Sequence, residues 1–358
     1  MDGLVRLVVP VILLSLFAAC SAPRMDGSTV EGKQAILDAV DIALTNGDCA
    51  GAIATIEPLY NSKYTDNDVR LARAAAHACS GGISSMAVVI QKLALSSSSL
   101  NGPSFWELIT KIFYHWETDV LDTRITAASN SVDALFAAVS EGTVVASANQ
   151  LNPTSFNVGS LFAPDRIADS NLFLIFVSMA MIGQFNSRYG EPNPVTFKRG
   201  KILGSDASNA DGWTVYDKVD ANACNYAASV INLLDAINES ATSLEGKVGD
   251  MMDTIGGAFG SLINDACNAA CKGEATGGVD YAAVGCGAFG GNPPIADMDF
   301  SGDELCKGTA GRPCLLALRN RDSCIVAEPT AANYRAQCAA AGIAKFVSEN
   351  VAAGWLSN

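Results

Sequence analysis

From Leu172 to Ile182 the chain reads Leu-Phe-Leu-Ile-Phe-Val-Ser-Met-Ala-Met-Ile, with one hydroxyl as its only polar group. A helix built on that run has no polar face to turn to water, so it fits a core helix covered on every side. The run is too short for a membrane span, which needs about 20 apolar residues. The rest of the chain must therefore supply covering elements, and its patterning supplies helices. Apolar residues return at helical spacing as Ile36, Val40, Ala43 and Leu44, and again as Ile53, Ile56 and Tyr60, with Asn46-Gly47-Asp48 between the two sets. Thr65 to Asp68 reads as a capping box before a third helix through Ala78. Gly81-Gly82 precedes a fourth that carries Met86, Val89, Ile90 and Leu93. The four make two helical hairpins.

Ser96 to Ser99 and Pro103 mark a joint, and Ser104-Phe105-Trp106-Glu107 is a capping box opening a helix to about Leu121, with Leu108, Ile112, Trp116 and Val120 on its apolar face. A further helix over about 125–140 carries Val132, Leu135, Phe136 and Val139. The polar stretch 140–164 reads as a loop and 165–184 as the helix containing Leu172 to Ile182. A second polar segment, 186–214, holds Arg188, Lys198, Arg199 and Lys201 and reads as an insertion. Helices are expected over 217–238 and 243–271, the second with Met251, Met252, Ile255, Phe259, Leu262 and Ile263. Gly and Pro punctuate 273–312, and helical patterning resumes at 314–319 and 330–356. The predicted class is all-α, with hairpins continuing into a larger helical array and a disulfide-stapled, loop-rich C-terminal region over 272–358.

The N-terminus carries an address. Residues 1–19 have one base, Arg6, an apolar core from Leu7 and the small pair Ala18-Ala19, the parts of an export signal. Phe17-Ala18-Ala19-Cys20 resembles the lipobox of bacterial lipoproteins, although Leu is usual where Phe17 stands. The resemblance implies a diacylglycerol thioether on Cys20, cleavage before it, and a lipidated tether over 20–29. Ser21, where an Asp would retain the protein at the inner membrane, implies the periplasmic face of the outer membrane. An ordinary secreted protein with Cys20 as a spare thiol is the competing reading.

Without residues 1–19 the chain keeps its net charge of −14, because Arg6 and Asp2 leave together. That sign repels phosphate backbones and excludes nucleic acid as a partner. Of eleven cysteines, ten remain beyond Cys20, an even number suited to disulfides in an oxidising compartment. Cys49 and Cys79 stand apart from the other eight, Cys224, Cys267, Cys271, Cys286, Cys306, Cys314, Cys324 and Cys338, which allow 105 pairings. Zinc is disfavoured, since Cys267-x-x-x-Cys271 lacks paired-ligand spacing and the chain has only two histidines.

A shift of 34 residues superposes Val40 on Ala74, Gly47 on Gly81, Ala52 on Met86, Ile56 on Ile90 and Leu59 on Leu93. Thirty-four is the tetratricopeptide period, and residues 31–95 resemble that family, with Gly47-Asp48-Cys49-Ala50-Gly51-Ala52-Ile53 at its turn. The family's Trp, Tyr and closing Pro are absent, and any pair of helical hairpins is an equal alternative. Both readings stack the first turn on the second. Cys49 at the start of the second helix and Cys79 at the end of the third then come within bridging reach.

Three motifs bear on chemistry. Asp297, Asp299, Ser301 and Asp303 surround Gly302 as in the start of a calcium loop, but Gly308 stands where a bidentate Glu belongs and Pro293-Pro294 where a helix should enter. A solvated acidic turn is favoured over a calcium site, and no cofactor is required. Gly27 to Lys33 imitates a phosphate-binding loop, yet Gln34 replaces its Ser or Thr and no strand precedes it. His77 and His115 occur in no metalloprotease motif, and packing or surface roles are expected for both.

The favoured function is a non-catalytic scaffold or adaptor, tethered through its lipid, whose helical array offers a surface to an envelope protein partner. A narrower form is similarity to the helical-repeat lipoproteins that accompany periplasmic solute transporters. The alternative is a binder of a small hydrophobic ligand in a pocket lined by Phe173, Phe176, Met179 and Met251. An envelope hydrolase with a scattered site is the third reading.

Overall fold

The computed structural model describes residues 26–61, 67–83, 88–89, 91–92, 102–136, 139–140, 143–144, 162, 166–201, 203, 214–215, 218–219, 221–240, 249, 347, 354–355 and 357. Helices dominate: α1 (Val30–Thr45), α2 (Cys49–Asn61), α3 (Asn67–Ser80), α4 (Gly102–Phe113), α5 (Thr118–Phe136), α6 (Ile167–Tyr189) and α7 (Ala221–Ser240). Two antiparallel ladders of two residues per strand interrupt them, β1 (Val139–Ser140) with β2 (Thr143–Val144) and β3 (Thr214–Val215) with β4 (Lys218–Val219).

The hairpins begin and end where local chemistry requires. Thr29 caps α1 by accepting from the Gly32 amide at 3.0 Å, and Asp48 caps α2 by accepting from Gly51 at 2.9 Å. Both α1 and α3 close in the same C-terminal motif. Gly47 and Gly82 take positive φ, and the paired bonds are Gly47 to Leu44 with Asp48 to Ala43, and Gly82 to Cys79 with Ile83 to Ala78. The motif repeats after 35 residues, so Gly82 and not Gly81 is the structural equivalent of Gly47. Gly81 instead lies against α5, where an added Cβ would sit 3.3 Å from that of Ala128. Cys49 and Cys79 are joined by a disulfide with a Cα separation of 5.4 Å, which ties the start of α2 to the end of α3. Ile36, Val40, Ala52, Ile56, Leu59 and Val69 form the core between α1, α2 and α3.

α3 packs on α5, α5 on α6, and α6 on α4 and α7 as well. Ser131 of α5 donates to the Ala74 carbonyl of α3 at 2.7 Å, and Arg70 donates to the Leu135 carbonyl while its guanidinium lies 4.2 Å over the Phe162 ring. α6 is the axis of this half. Leu174 to Ile182 are buried throughout, as the apolar run requires, and Leu172 and Phe173 are half-buried. With 23 residues and a mean hydropathy of 1.4, α6 has the length and composition to cross a membrane. Here its sides are taken by α4, α5 and α7, and part of its buried polar chemistry is answered within the fold, while Asn171 Oδ1, Ser178 Oγ and Gln184 Oε1 are buried without a hydrogen-bond partner. Gln184 donates to the Gly81 carbonyl, Asn186 donates to Thr110 Oγ1 at 3.1 Å, and the Tyr226 hydroxyl donates to Asn186 Oδ1 at 3.2 Å. Gly183 lets α4 come close, since a Cβ there would lie 2.5 Å from the Ile109 carbonyl oxygen.

Several predicted boundaries are corrected. The helix expected from Ser104 to Leu121 ends at Phe113, and α5 starts at Thr118, earlier than the expected 125. The break is fixed from α6: the Ser187 hydroxyl accepts from the His115 amide at 3.3 Å and lies 3.1 Å from its carbonyl, so that backbone is satisfied without a helical ladder. The buried face of α4 is Phe105, Trp106, Ile109 and Phe113, whereas Trp116 is 75% exposed. Val139 belongs to β1 and not to a helix. α6 runs five residues past the expected Gln184, so Arg188 is helical and pairs with Asp122 at 2.9 Å. Beyond it Gly190 accepts from Gly200 and Lys201, and Trp355 packs on Gly190 while donating to the Phe197 carbonyl at 3.0 Å.

Candidate docking groove

α1, α3 and the first turns of α6 diverge enough to leave an open groove of about 450 Å³. Its floor is apolar: Leu37 from α1, Leu71, Ala72 and Ala75 from α3, and Leu172 and Phe173 from α6. The small side chains of Ala72 and Ala75 keep it concave. The rim is polar, with Gln34 and Asp41 on one side and Asp68, Arg166 and Asp169 on the other. Arg166 spans the mouth, donating to Asp68 at 2.8 Å and Asp169 at 3.3 Å, and these two carboxylates raise the pKa of the guanidinium. Three acids against one base leave the rim negative, in keeping with the whole chain.

Behind the groove, on the opposite face of α3, lies a partly buried ionic network. Glu57 Oε1 on α2 accepts from Arg73 Nε and from His77 Nε2, each at 2.9 Å. The Arg73 guanidinium lies 4.2 Å over the Tyr60 ring. Burial pushes the His77 pKa below its usual value; the hydrogen bond to Glu57 acts the other way and Arg73 adds to the lowering. A neutral ring with its proton on Nε2 donates to the carboxylate and needs no charge of its own. Burial likewise lowers Arg70, to about 10, and raises Tyr60. Glu57, Arg73 and His77 lock α2 to α3, and none of them lines the groove.

The residues singled out in the sequence separate. Phe173 is on the groove floor, while Phe176 and Met179 are fully buried in the packed interior of α6. Met251 lies outside the described residues, as do Cys20, the loop of Asp297, Asp299, Ser301 and Asp303, and the cysteines from Cys267 to Cys338. Cys224 on α7 is buried and disulfide-bonded. Among the described residues no group of three metal-binding side chains comes together. The groove itself was not legible in the sequence, because its walls are separated by up to about 140 residues and only the Arg166 to Asp169 pair is local. Compared with protein families, with curated proteins and with solved structures, the chain matches none.

Proposed function

We propose that this protein is a non-catalytic adaptor, held by a lipid on Cys20 at the periplasmic face of the outer membrane, that seats a segment of an envelope protein in the groove between α1, α3 and α6. The observation that carries this reading is the groove's construction. Its apolar floor and ionic rim are the anatomy of a protein-recognition surface, with a hydrophobic centre and a polar border. The walls come from helices braced by the Cys49–Cys79 disulfide and the Glu57 network, so the surface is preorganised and little ordering entropy is lost on binding. The tetratricopeptide-like character of the hairpins, and the narrower association with a solute transporter, belong to the same reading.

The test uses the full-length protein expressed in its own envelope. Detergent extracts are passed over the tagged wild type and over Leu71→Glu, which places a charge on the half-buried floor. The expected result is one reproducible envelope protein retained by the wild type and lost from the variant, at unchanged melting temperature. Retention of the same proteins by both would overturn the assignment of the groove. The anchor is tested separately: labelled palmitate should enter the wild type and not Cys20→Ala.

A further inference from the structure

We infer that the segment seated between α1, α3 and α6 is an amphipathic helix with a lysine or arginine beside its apolar stripe, an inference that rests on the groove being a protein-docking site. Its dimensions come from the walls. The lining runs from Gln34 to Asp41 on α1, from Asp68 to Ala75 on α3 and from Arg166 to Phe173 on α6, so each wall contributes roughly two helical turns, about 10 Å. The three walls run parallel. Arg166 pairs with Asp68 at the starts of α6 and α3, Gln184 reaches the Gly81 carbonyl near their ends, and the Cys49–Cys79 bond sets the end of α1 beside the end of α3. A trough of that length, floored by Leu71, Ala72 and Phe173, receives apolar side chains spaced i, i+3 or i+4, and i+7 along one face of a helix.

The backbone chemistry of the walls disfavours an extended occupant. A bound strand takes its affinity from main-chain hydrogen bonds to a sheet edge, and the described strands, two ladders of two residues per strand, take no part in the groove. Laid over an apolar floor between helices, an extended segment leaves most of its amides and carbonyls unpaired, whereas a helix satisfies its own. A polyproline segment needs an aromatic-lined trough, and Phe173 is the one aromatic side chain among the described residues that line this one. Charge then fixes the flank of the helix. Asp68 and Asp169 share Arg166 at one end, while Asp41, exposed toward the other end, forms no ion pair among the described residues. A base on the partner is attracted there; an acidic flank, or a second copy of this chain with its net charge of −14, is repelled.

The experiment is fluorescence anisotropy of three labelled peptides of about 15 residues with the full-length protein in a neutral detergent. The first is built of alanine with leucines at i, i+4 and i+7 flanked by lysines; the second carries glutamate in place of lysine; the third is the lysine peptide with a central proline that forbids the helix. The lysine helix is expected to bind with a dissociation constant below about 100 μM, and the other two at least about tenfold more weakly. Leu71→Gln, which puts an uncharged amide on the floor, should abolish that binding, and Asp41→Asn, at an exposed position that bears no fold contact, should weaken it about threefold. No binding of the lysine helix, equal affinity for all three peptides, or indifference to Leu71→Gln would overturn the proposal, as would self-association of the protein lost in that variant, which would give the groove to a second copy. The two readings fail separately: an envelope protein retained by the wild type and lost from Leu71→Glu, with no peptide bound, keeps the groove and refutes its helical occupant.

Discussion

Cutting the bond between Cys49 and Cys79 is the sharpest perturbation of the N-terminal hairpins. The two residues are 30 apart in sequence, and closing a loop of that length removes roughly 12 cal/mol/K from the unfolded chain, about 3.6 kcal/mol at 25 °C. The double variant Cys49→Ala/Cys79→Ala keeps the fold's contacts, since Cys79 is buried in the last turn of α3 and alanine is accepted in a helix. Unfolding in urea, followed by circular dichroism, then reads the difference directly. With a slope near 3 kcal/mol/M for a chain of this size, the midpoint should fall by about 1 M. The loss should be concentrated in α1 to α3, so amide exchange in those helices should quicken before exchange in α6. A midpoint within about 0.3 M of wild type, or native thiols at positions 49 and 79 open to alkylation, would refute the reasoning.

Two further perturbations address the packing. His77 has a folded pKa below its unfolded 6.5, so the unfolded chain takes up the proton first; this residue's contribution is complete above about pH 6.5 and lost as pH falls through the folded value. His77→Gln should therefore flatten the decline of melting temperature between pH 7 and 5, and an unchanged slope would show that the ring is not held neutral. Gly183→Val forces branched carbons against the Ile109 carbonyl and should cost roughly 1–3 kcal/mol or more, read as a lower thermal midpoint.

What the sequence disclosed follows from the range over which each feature is determined. Helix ends set by adjacent residues were readable: Thr29, Asp48 and Gly47 act within three or four positions, and the disulfide follows from placing two helix ends side by side. The apolar run of α6 announced its own burial, since no face of it could meet water. The division between α4 and α5 was not readable, because it depends on the Ser187 hydroxyl, 72 residues from His115. Periodicity also put Trp116 on the buried face, and it fails there because the helix stops before reaching it. Asn186 looked like the beginning of a loop and Gln184 like the end of the helix; both are core residues of α6 whose partners, Thr110 and Tyr226 for Asn186 and Gly81 for Gln184, are distant in the chain. The groove shares that character, with Arg166 and Asp68 separated by 98 residues.

The central claim is that the groove between α1, α3 and α6 seats a protein segment in the envelope, and crosslinking inside living cells tests it most directly. A photoreactive amino acid is placed at Ala72 or Ala75 on the groove floor and, as a reference, at exposed Val30 outside it. The account predicts one protein adduct of the same mass from both floor positions and none from position 30. No adduct from the floor, or the same adduct from all three positions, would contradict it.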